Sequence, residues 1–393
     1  MMFDASRRRV LKGLAALTCS ALPIRMLGEA ETPPNIVLIL ADDLGWGDLG
    51  CYGAHDMVTP RIDGLAKGGV RFTDFYAAST CVDGRACLMS GCYSPRTGFK
   101  QAYQPTDIRT RHGLSPAILT IPRYLTGVGY RCACIGKWGL GSAIQFLPIA
   151  HGFDEFFGIP YSNTLERGIM NVMRGNQVIK QSLTDREAGE FTEVLTLEAL
   201  EFIERSGEHP FFLYLSHVMP HVALQVSPRF GGISERGIYG DCVATIDWSV
   251  GRIEDRLREL GLWEQTLLIF ASDNGPWLLY GTHGGSAGPW RQGKQTVFEG
   301  GFRVPCVVSW PGVVPKEWDY PGIAGLIDLL PTFASAVGKS VGMELKLDGI
   351  DLLPGLLGHQ PDAERAFVYY RRGEALAIRL GRWKLRQIFK RKR

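Results

Sequence analysis

The chain has 393 residues, 45% of them hydrophobic, with 43 basic and 40 acidic side chains. That apolar content supports a large core and excludes a disordered or fibrous polypeptide. Five of the basic and two of the acidic groups fall in the first thirty residues, so the remainder carries 38 of each, a neutrality that argues against a general nucleic-acid binder.

Residues 1–30 read as a targeting segment and are set apart from the fold. Ser6-Arg7-Arg8-Arg9-Val10-Leu11-Lys12 has the form of a twin-arginine export signal, and the apolar run Val10 to Leu22 is shorter than the roughly 20 residues a bilayer span needs. Small residues at Gly28-Glu29-Ala30 offer a cleavage point. The expectation is a twin-arginine translocase substrate placed in the periplasm or secreted, with an uncleaved interfacial anchor as the alternative. Nine cysteines lack zinc-ribbon spacing, and Cys132 and Cys134 share one face of a strand without bridging; most are expected to be small core residues.

Asn35 to Ala41 (NIVLILA) reads as a buried parallel strand ending at Asp42-Asp43, and Thr266 to Ser272 (TLLIFAS) repeats the pattern, ending at Asp273-Asn274. Open α/β sheets place their sites at such carboxyl ends. Between these strands the chain alternates. Helices are predicted over Thr59 to Gly68, Gly84 to Ser90, Glu187 to Arg205 and Asp241 to Leu260, and strands over Tyr130 to Gly136, Phe211 to Ser216 and Cys306 to Trp310. The fold class is α/β, a large mostly parallel sheet with helices on both faces and a small antiparallel C-terminal unit from Phe367 to Leu385. The expected division is a signal over 1–30, a catalytic domain over 31–360 and a short subdomain over 361–393. Lys384 to Arg393 holds six basic residues in ten and is expected to be a solvated tail.

Thr80-Cys81-Val82-Asp83-Gly84-Arg85, Gly136-Lys137-Trp138-Gly139-Leu140-Gly141, Pro220-His221 and Arg291-Gln292-Gly293-Lys294 before Glu299-Gly300-Gly301 occur in one order with the acidic pairs. In that order they resemble the sulfatase family of the alkaline-phosphatase superfamily, whose likeness extends from Asn35 to Leu385. The resemblance implies hydrolysis of a sulfate ester on a carbohydrate or aryl group. It implies a divalent cation on Asp42, Asp43, Asp273 and Asn274, joined by Cys81; hard oxygen donors suit Ca2+, with Mg2+ as the alternative. It also implies that Cys81 is oxidised to formylglycine by a maturation enzyme, and that Arg85, Lys137, His221 and Lys294 act in catalysis. Lys137, Ser162, His221 and Lys294 are the implied contacts to substrate, a sulfated small molecule or glycan.

Two positions depart from the family's pattern. Asp83 stands where the CxPxR motif has proline, and Gly139 where GKWHLG has histidine. Aspartate suits a helix start as proline does, so the local fold is expected to survive, while the added carboxylate is expected to repel an anionic substrate unless the metal or Arg85 compensates. Two other readings stay open: a phosphate or phosphonate ester hydrolase of the same superfamily, and a catalytically silent binder of sulfated ligands. Loops at Gln101 to His112 and Leu165 to Ser182 are expected to shape the pocket. Trp277, Tyr280 and Trp290, near the acidic pair, are expected to pack in the core, with stacking on a sugar or aryl ring as the alternative.

Overall fold

The computed structural model describes residues 33–98, 112–162, 171–342, 345–361 and 365–387. The predicted signal, the loop through residue 111 and the last six residues of the basic tail lie outside the described residues. Among the described residues no helix is long and apolar enough to cross a membrane.

In chain order the elements begin with β1 (Asn35–Ala41), α1 (Pro60–Gly68), β2 (Val70–Phe72), β3 (Phe75–Tyr76), α2 (Cys81–Ser90) and α3 (Ile121–Thr126). β4 (Arg131–Lys137), β5 (Glu155–Ile159), β6 (Val172–Arg174), β7 (Gln177–Lys180), α4 (Asp185–Gly189), α5 (Phe191–Ser206) and β8 (Phe211–Ser216) follow. Next come α6 (Gly237–Glu259), β9 (Thr266–Ser272), α7 (Glu299–Phe302), β10 (Cys306–Ser309), β11 (Trp318–Tyr320), β12 (Ala324–Gly325), α8 (Leu329–Ala336) and α9 (Leu353–Leu356). Strands β13 (Ala366–Arg371), β14 (Glu374–Leu380) and β15 (Trp383–Arg386) close the chain as a separate antiparallel sheet.

Ten strands form the main sheet in the order β11-β2-β10-β9-β1-β8-β4-β5-β6-β7. Its centre, β9-β1-β8-β4-β5, is parallel, and this is the part that the continuous apolar runs foretell. The flanks turn antiparallel: β10 runs against β9, and β6 against β5. The sheet is therefore mixed.

All seven residues of β1 are buried because the strand is covered on both faces. Ile36, Leu38 and Leu40 pack with Val82, Ala86, Ile121, Leu125 and Phe333 of α2, α3 and α8. Val37 and Ile39 pack with Ile62, Leu195, Phe202, Val243, Ile246, Val250 and Ile253 of α1, α5 and α6. Each such side chain contributes about 1.5–3 kcal/mol when fully buried, so sandwiching one strand between helical layers fixes its register strongly. That register matters for the site: Ala41 pairs with Ser272, Leu40 with Ser216, and Gly136 with Ser216. The carboxyl ends of four strands are thereby brought level.

Three helices differ from the sequence expectation by more than a single residue. The helix expected over Glu187 to Arg205 is two helices, because Thr184 and Glu187 form a reciprocal capping box for α4, and the chain breaks at Glu190. α6 starts four residues early, at Gly237. α2 starts at Cys81, since Thr80 caps it by accepting from the Asp83 backbone N–H. The eight described cysteines are free thiols, five of them buried.

Candidate active site

The level strand ends deliver Asp42 and Asp43 after β1, Asp273 and Asn274 after β9, Ser216 at the end of β8 and Lys137 at the end of β4. Helix α2 meets them end-on. Cys81, Gly84 and Arg85 lie three and four residues apart on one face of it, the face turned to β9. A β-carbon on Gly84 would sit 2.0 Å from the Asp273 carbonyl oxygen, so only glycine allows this approach.

Arg85 is fully buried and organises the floor. Its Nε donates to Asp273 Oδ2 at 2.9 Å, with Nη2 2.8 Å from the same oxygen, and Nη1 donates to Lys137 O at 2.9 Å, Tyr214 OH at 3.1 Å and Ser216 Oγ at 2.5 Å. Asp273 Oδ1 accepts from the Asp43 backbone N–H at 3.1 Å. Burial pushes the Asp273 carboxyl upward and Arg85 opposes it; since both oxygens accept N–H donors, the ionised form fits this geometry.

Two lysines complete the charge pattern. Lys137 Nζ pairs with Asp42 Oδ2, and Lys294 Nζ pairs with Asp43 Oδ1 at 2.5 Å. Burial alone would raise Asp42, but Lys137, His221, Arg85 and Lys294 override it and hold the carboxyl well below its usual range. Burial would lower Lys294; the Asp43 carboxylate outweighs that and raises it. The segment carrying Lys294 is tightly held, with Lys294 N–H donating to Pro276 O at 2.9 Å and Gln295 N–H to Ser79 O at 2.7 Å. Asp43 itself stands at φ 67°, in the left-handed region that aspartate tolerates better than most residues.

His221 Nε2 lies 3.7 Å from Asp43 Oδ2, and its Nδ1 is 2.5 Å from Val222 O. Burial lowers its pKa against the opposing pull of Asp43 and Asp42. His217, by contrast, is fully buried with both ring nitrogens unpartnered and is pushed down to about 3 by burial alone, as befits a neutral structural residue. Burial also raises the Cys81 thiol, with Lys137 and Lys294 pulling the other way. Ser162 is half-buried beyond β5, and Pro160 O beside it accepts from the Gly139 N–H at 3.1 Å.

The donor set fits a hard cation. Asp42 Oδ1, Asp43 Oδ2 and Asn274 Oδ1 are buried oxygens with no hydrogen-bond donor, an arrangement that is costly unless a cation takes them. Ligand atoms of Asp42, Asp43 and His221 lie within 4.8 Å of one another, as do those of Asp42, Cys81 and Asp273. Oxygen donors of this kind match Ca2+ or Mg2+ better than a softer metal.

Asp83 corrects the expected repulsion. It lies about 200° round the helix from Cys81, and its carboxylate accepts from Thr80 Oγ1 at 2.8 Å and Ser79 Oγ at 3.3 Å. Burial raises its pKa, while the Thr80, Ser94 and Ser79 hydroxyls oppose the rise; it faces those hydroxyls and Cys87 rather than the anion site. Gly139 has φ 78°, and a β-carbon there would be 3.0 Å from Arg85 Cδ and 3.7 Å from Lys137 Cε. Tyr214 and Ser216 are the residues that sequence reasoning missed. Their signal was faint: two polar groups at alternate positions of an otherwise apolar strand end.

The sulfatase family model matches residues 34–339. The chain belongs to the sulfatase family. It is 39% identical over 391 residues to N-acetylgalactosamine-6-sulfatase of Sus scrofa, covering 94% of this chain and 74% of that one. Among solved structures, PsFucS1 sulfatase from Pseudoalteromonas sp. superposes with a TM-score of 0.82 at 28% identity, covering 91% of this chain and 78% of the other. Ps i-CgsB in complex with k-i-k-neocarrahexaose gives a TM-score of 0.80 at 30% identity over 91% and 84%. The chain is thus a sulfuric ester hydrolase, and a separate three-stranded sheet accompanies the large one, as the residue pattern from Phe367 to Leu385 predicts.

The C-terminal sheet is wired to α7 and to the β3 segment. Glu299 of α7 accepts from Lys384 Nζ, Tyr369 OH and Tyr76 OH, each at 2.8 Å, and Arg303 and Arg379 pair with Asp74 at 2.6 Å. Lys384 was expected in a solvated tail, yet it is largely buried on the Tyr369 ring, and burial lowers its pKa to about 8 despite Glu299.

Proposed function

We propose that the substrate is a sulfated carbohydrate and that water is added across the S–O bond of its sulfate ester, releasing inorganic sulfate and the free alcohol. The observation that carries this reading is the convergence of Arg85, Lys137 and Lys294 with three unpartnered carboxylate and amide oxygens beside Cys81. Carbohydrate is favoured because two of the relatives described above are named for, or bound to, a sugar.

In this reading Asp42, Asp43, Asp273 and Asn274 hold a Ca2+ ion, which when bound supplies Lewis-acid neutralisation of the sulfate oxygens. Cys81, converted to formylglycine, supplies a hydrated aldehyde as nucleophile. Arg85 fixes Asp273 and leaves the α2 amino end, with its positive dipole end, facing the anion. Lys137 and Lys294 hold sulfate oxygens by charge-assisted hydrogen bonds. Lys294 carries protons beside Asp43, and with His221 flanks the place where the leaving oxygen must accept one. Ser162 is assigned as a further substrate contact. Asp83, turned away from the anion, leaves this chemistry unopposed.

We further assign residues 1–30 to a twin-arginine signal that sends the enzyme to the periplasm or beyond. Peptide mass spectrometry of residues 81–85 from the native host tests the nucleophile. Aldehyde at Cys81 together with turnover of a sulfated sugar is expected; thiol throughout, with no turnover, overturns the reading.

A further inference from the structure

The cation-rich floor is built for the sulfate group, and among the described residues its charged groups do not read what the sulfate is attached to. The first neighbour outward is an aromatic pair, of which Trp277 packs partly against the core and Tyr280 stands exposed. Trp277 follows the Asp273-Asn274 pair by three residues. Lys294 Nζ lies 4.5 Å from its ring centroid and the His221 ring 5.6 Å away, so the indole borders the anion site. Tyr280 meets Trp277 edge-on at 4.8 Å and 74° and is 46% exposed. Leu279 beside it is 86% exposed.

This rim is built rather than loose. Leu278 and Lys294 both donate backbone N–H groups to Pro276 O, and Tyr280 N–H donates to Trp277 O at 3.1 Å. A β-carbon on Gly284 would sit 2.2 Å from Trp277 O, and one on Gly293 would sit 2.2 Å from Pro276 O. The turn is therefore clamped against the segment that bears Lys294, and an aromatic surface is held open to solvent at a fixed distance from the sulfate-binding groups.

We propose that Trp277 and Tyr280 form the leaving-group wall of the site, against which the pyranose ring of the substrate lies by its apolar C–H face. This rests on the sulfated-carbohydrate reading above. A pyranose suits the place because it is neutral, as a rim of Trp277, Leu279 and Tyr280 requires, and because its C–H face stacks on a ring while its hydroxyls stay in water. A second anionic or purely polar group would be desolvated there without a partner.

Tyr280→Ala is the discriminating variant, because Tyr280 touches neither Arg85 nor the lysines and its exposed ring carries little of the fold. The measurement is equilibrium binding of N-acetylgalactosamine 6-sulfate and of inorganic sulfate to wild type, Tyr280→Ala and Tyr280→Phe. Tyr280→Ala is expected to weaken the sugar by about three- to tenfold, the scale of one aromatic stacking contact, with sulfate unchanged and Tyr280→Phe close to wild type. Equal sugar affinity in all three proteins, equal loss for sugar and sulfate, or no sugar binding by wild type overturns the wall. Turnover of the same sugar sulfate by wild type, measured separately, tests the reaction itself, so binding without turnover would sink the proposed chemistry and leave the wall standing.

Discussion

Replacing Gly139 by alanine is a stringent test of how Arg85 is held. The backbone at residue 139 has φ 78°, where a residue with a β-carbon costs about 1–2 kcal/mol. The added methyl would meet Arg85 Cδ at 3.0 Å. That neighbour cannot swing aside, because the guanidinium is fastened to Asp273, Lys137 O, Tyr214 and Ser216. Forcing a methyl into such a contact costs about 1–3 kcal/mol. The sum, about 2–5 kcal/mol, corresponds to a fall in Tm of roughly 4–15 °C at about 2–3 °C per kcal/mol for a domain of this size. A shift of Arg85 also moves Asp273, so kcat/KM for a sugar sulfate should fall about tenfold, since small misplacements of reacting groups are expensive. Thermal unfolding and steady-state kinetics on the purified variant read both quantities. Unchanged Tm with unchanged kcat/KM would refute the reasoning, because it would mean that the space at residue 139 is open and Arg85 is free to yield.

Lys294→Gln removes one charge-assisted contact worth about 1.5–3 kcal/mol, so kcat/KM should fall about ten- to a hundredfold and the inhibition constant of inorganic sulfate should rise with it. Removal of divalent cations with a chelator should lower Tm, because Asp42 Oδ1, Asp43 Oδ2 and Asn274 Oδ1 then stay buried without partners; a cation present at about 100 times its Kd stabilises by about 2.7 kcal/mol, which restoring Ca2+ should return. Asp247 accepts from the Arg61 and Ile62 backbone N–H groups at the start of α1, and burial raises it to about 7 although those donors oppose the shift. A folded-state pKa above the unfolded value means that the folded form binds the extra proton, so its contribution is complete below about pH 4 and is lost as pH rises through 7. The Tm difference between wild type and Asp247→Asn, scanned across that window, should therefore move against wild type as pH increases; a flat difference would contradict the shift.

The parts of this molecule legible in its sequence were those written by burial on both sides. NIVLILA and TLLIFAS declare central strands, and the acidic pairs at their ends follow from the strand ends themselves. Lys137, His221 and Lys294 were reached through motif order, and the structure places them beside Asp42 and Asp43. What escaped was directional. Whether Asp83 faces the anion depends on where α2 begins, and that is decided by the Thr80 cap, a single hydrogen bond between neighbours. The partners of Arg85 on β8 escaped because Tyr214 and Ser216 become neighbours of Arg85 only once β8 lies beside β1. Lys384 looked like the start of a tail because pairing with Glu299, 85 residues earlier, leaves no local trace. The antiparallel direction of β10 is equally silent, since a buried strand has the same composition whichever way it runs.

The pairing of β1 with β9 joins residues more than two hundred positions apart, Asn35 against Thr266 among them. Contacts of such separation form slowly, because a long loop must close before they return any stability. During synthesis β1 therefore emerges long before its partner, as a strand apolar at every position after Asn35 and with open edges, the kind of species that invites aggregation until it is covered. The same delay opens an interval in time. Residues 81–85 become a capped helix packed on Asp273 only after residue 273 exists, so any enzyme that must read this stretch as an extended strand has to act on the nascent or unfolded chain, before the sheet shuts.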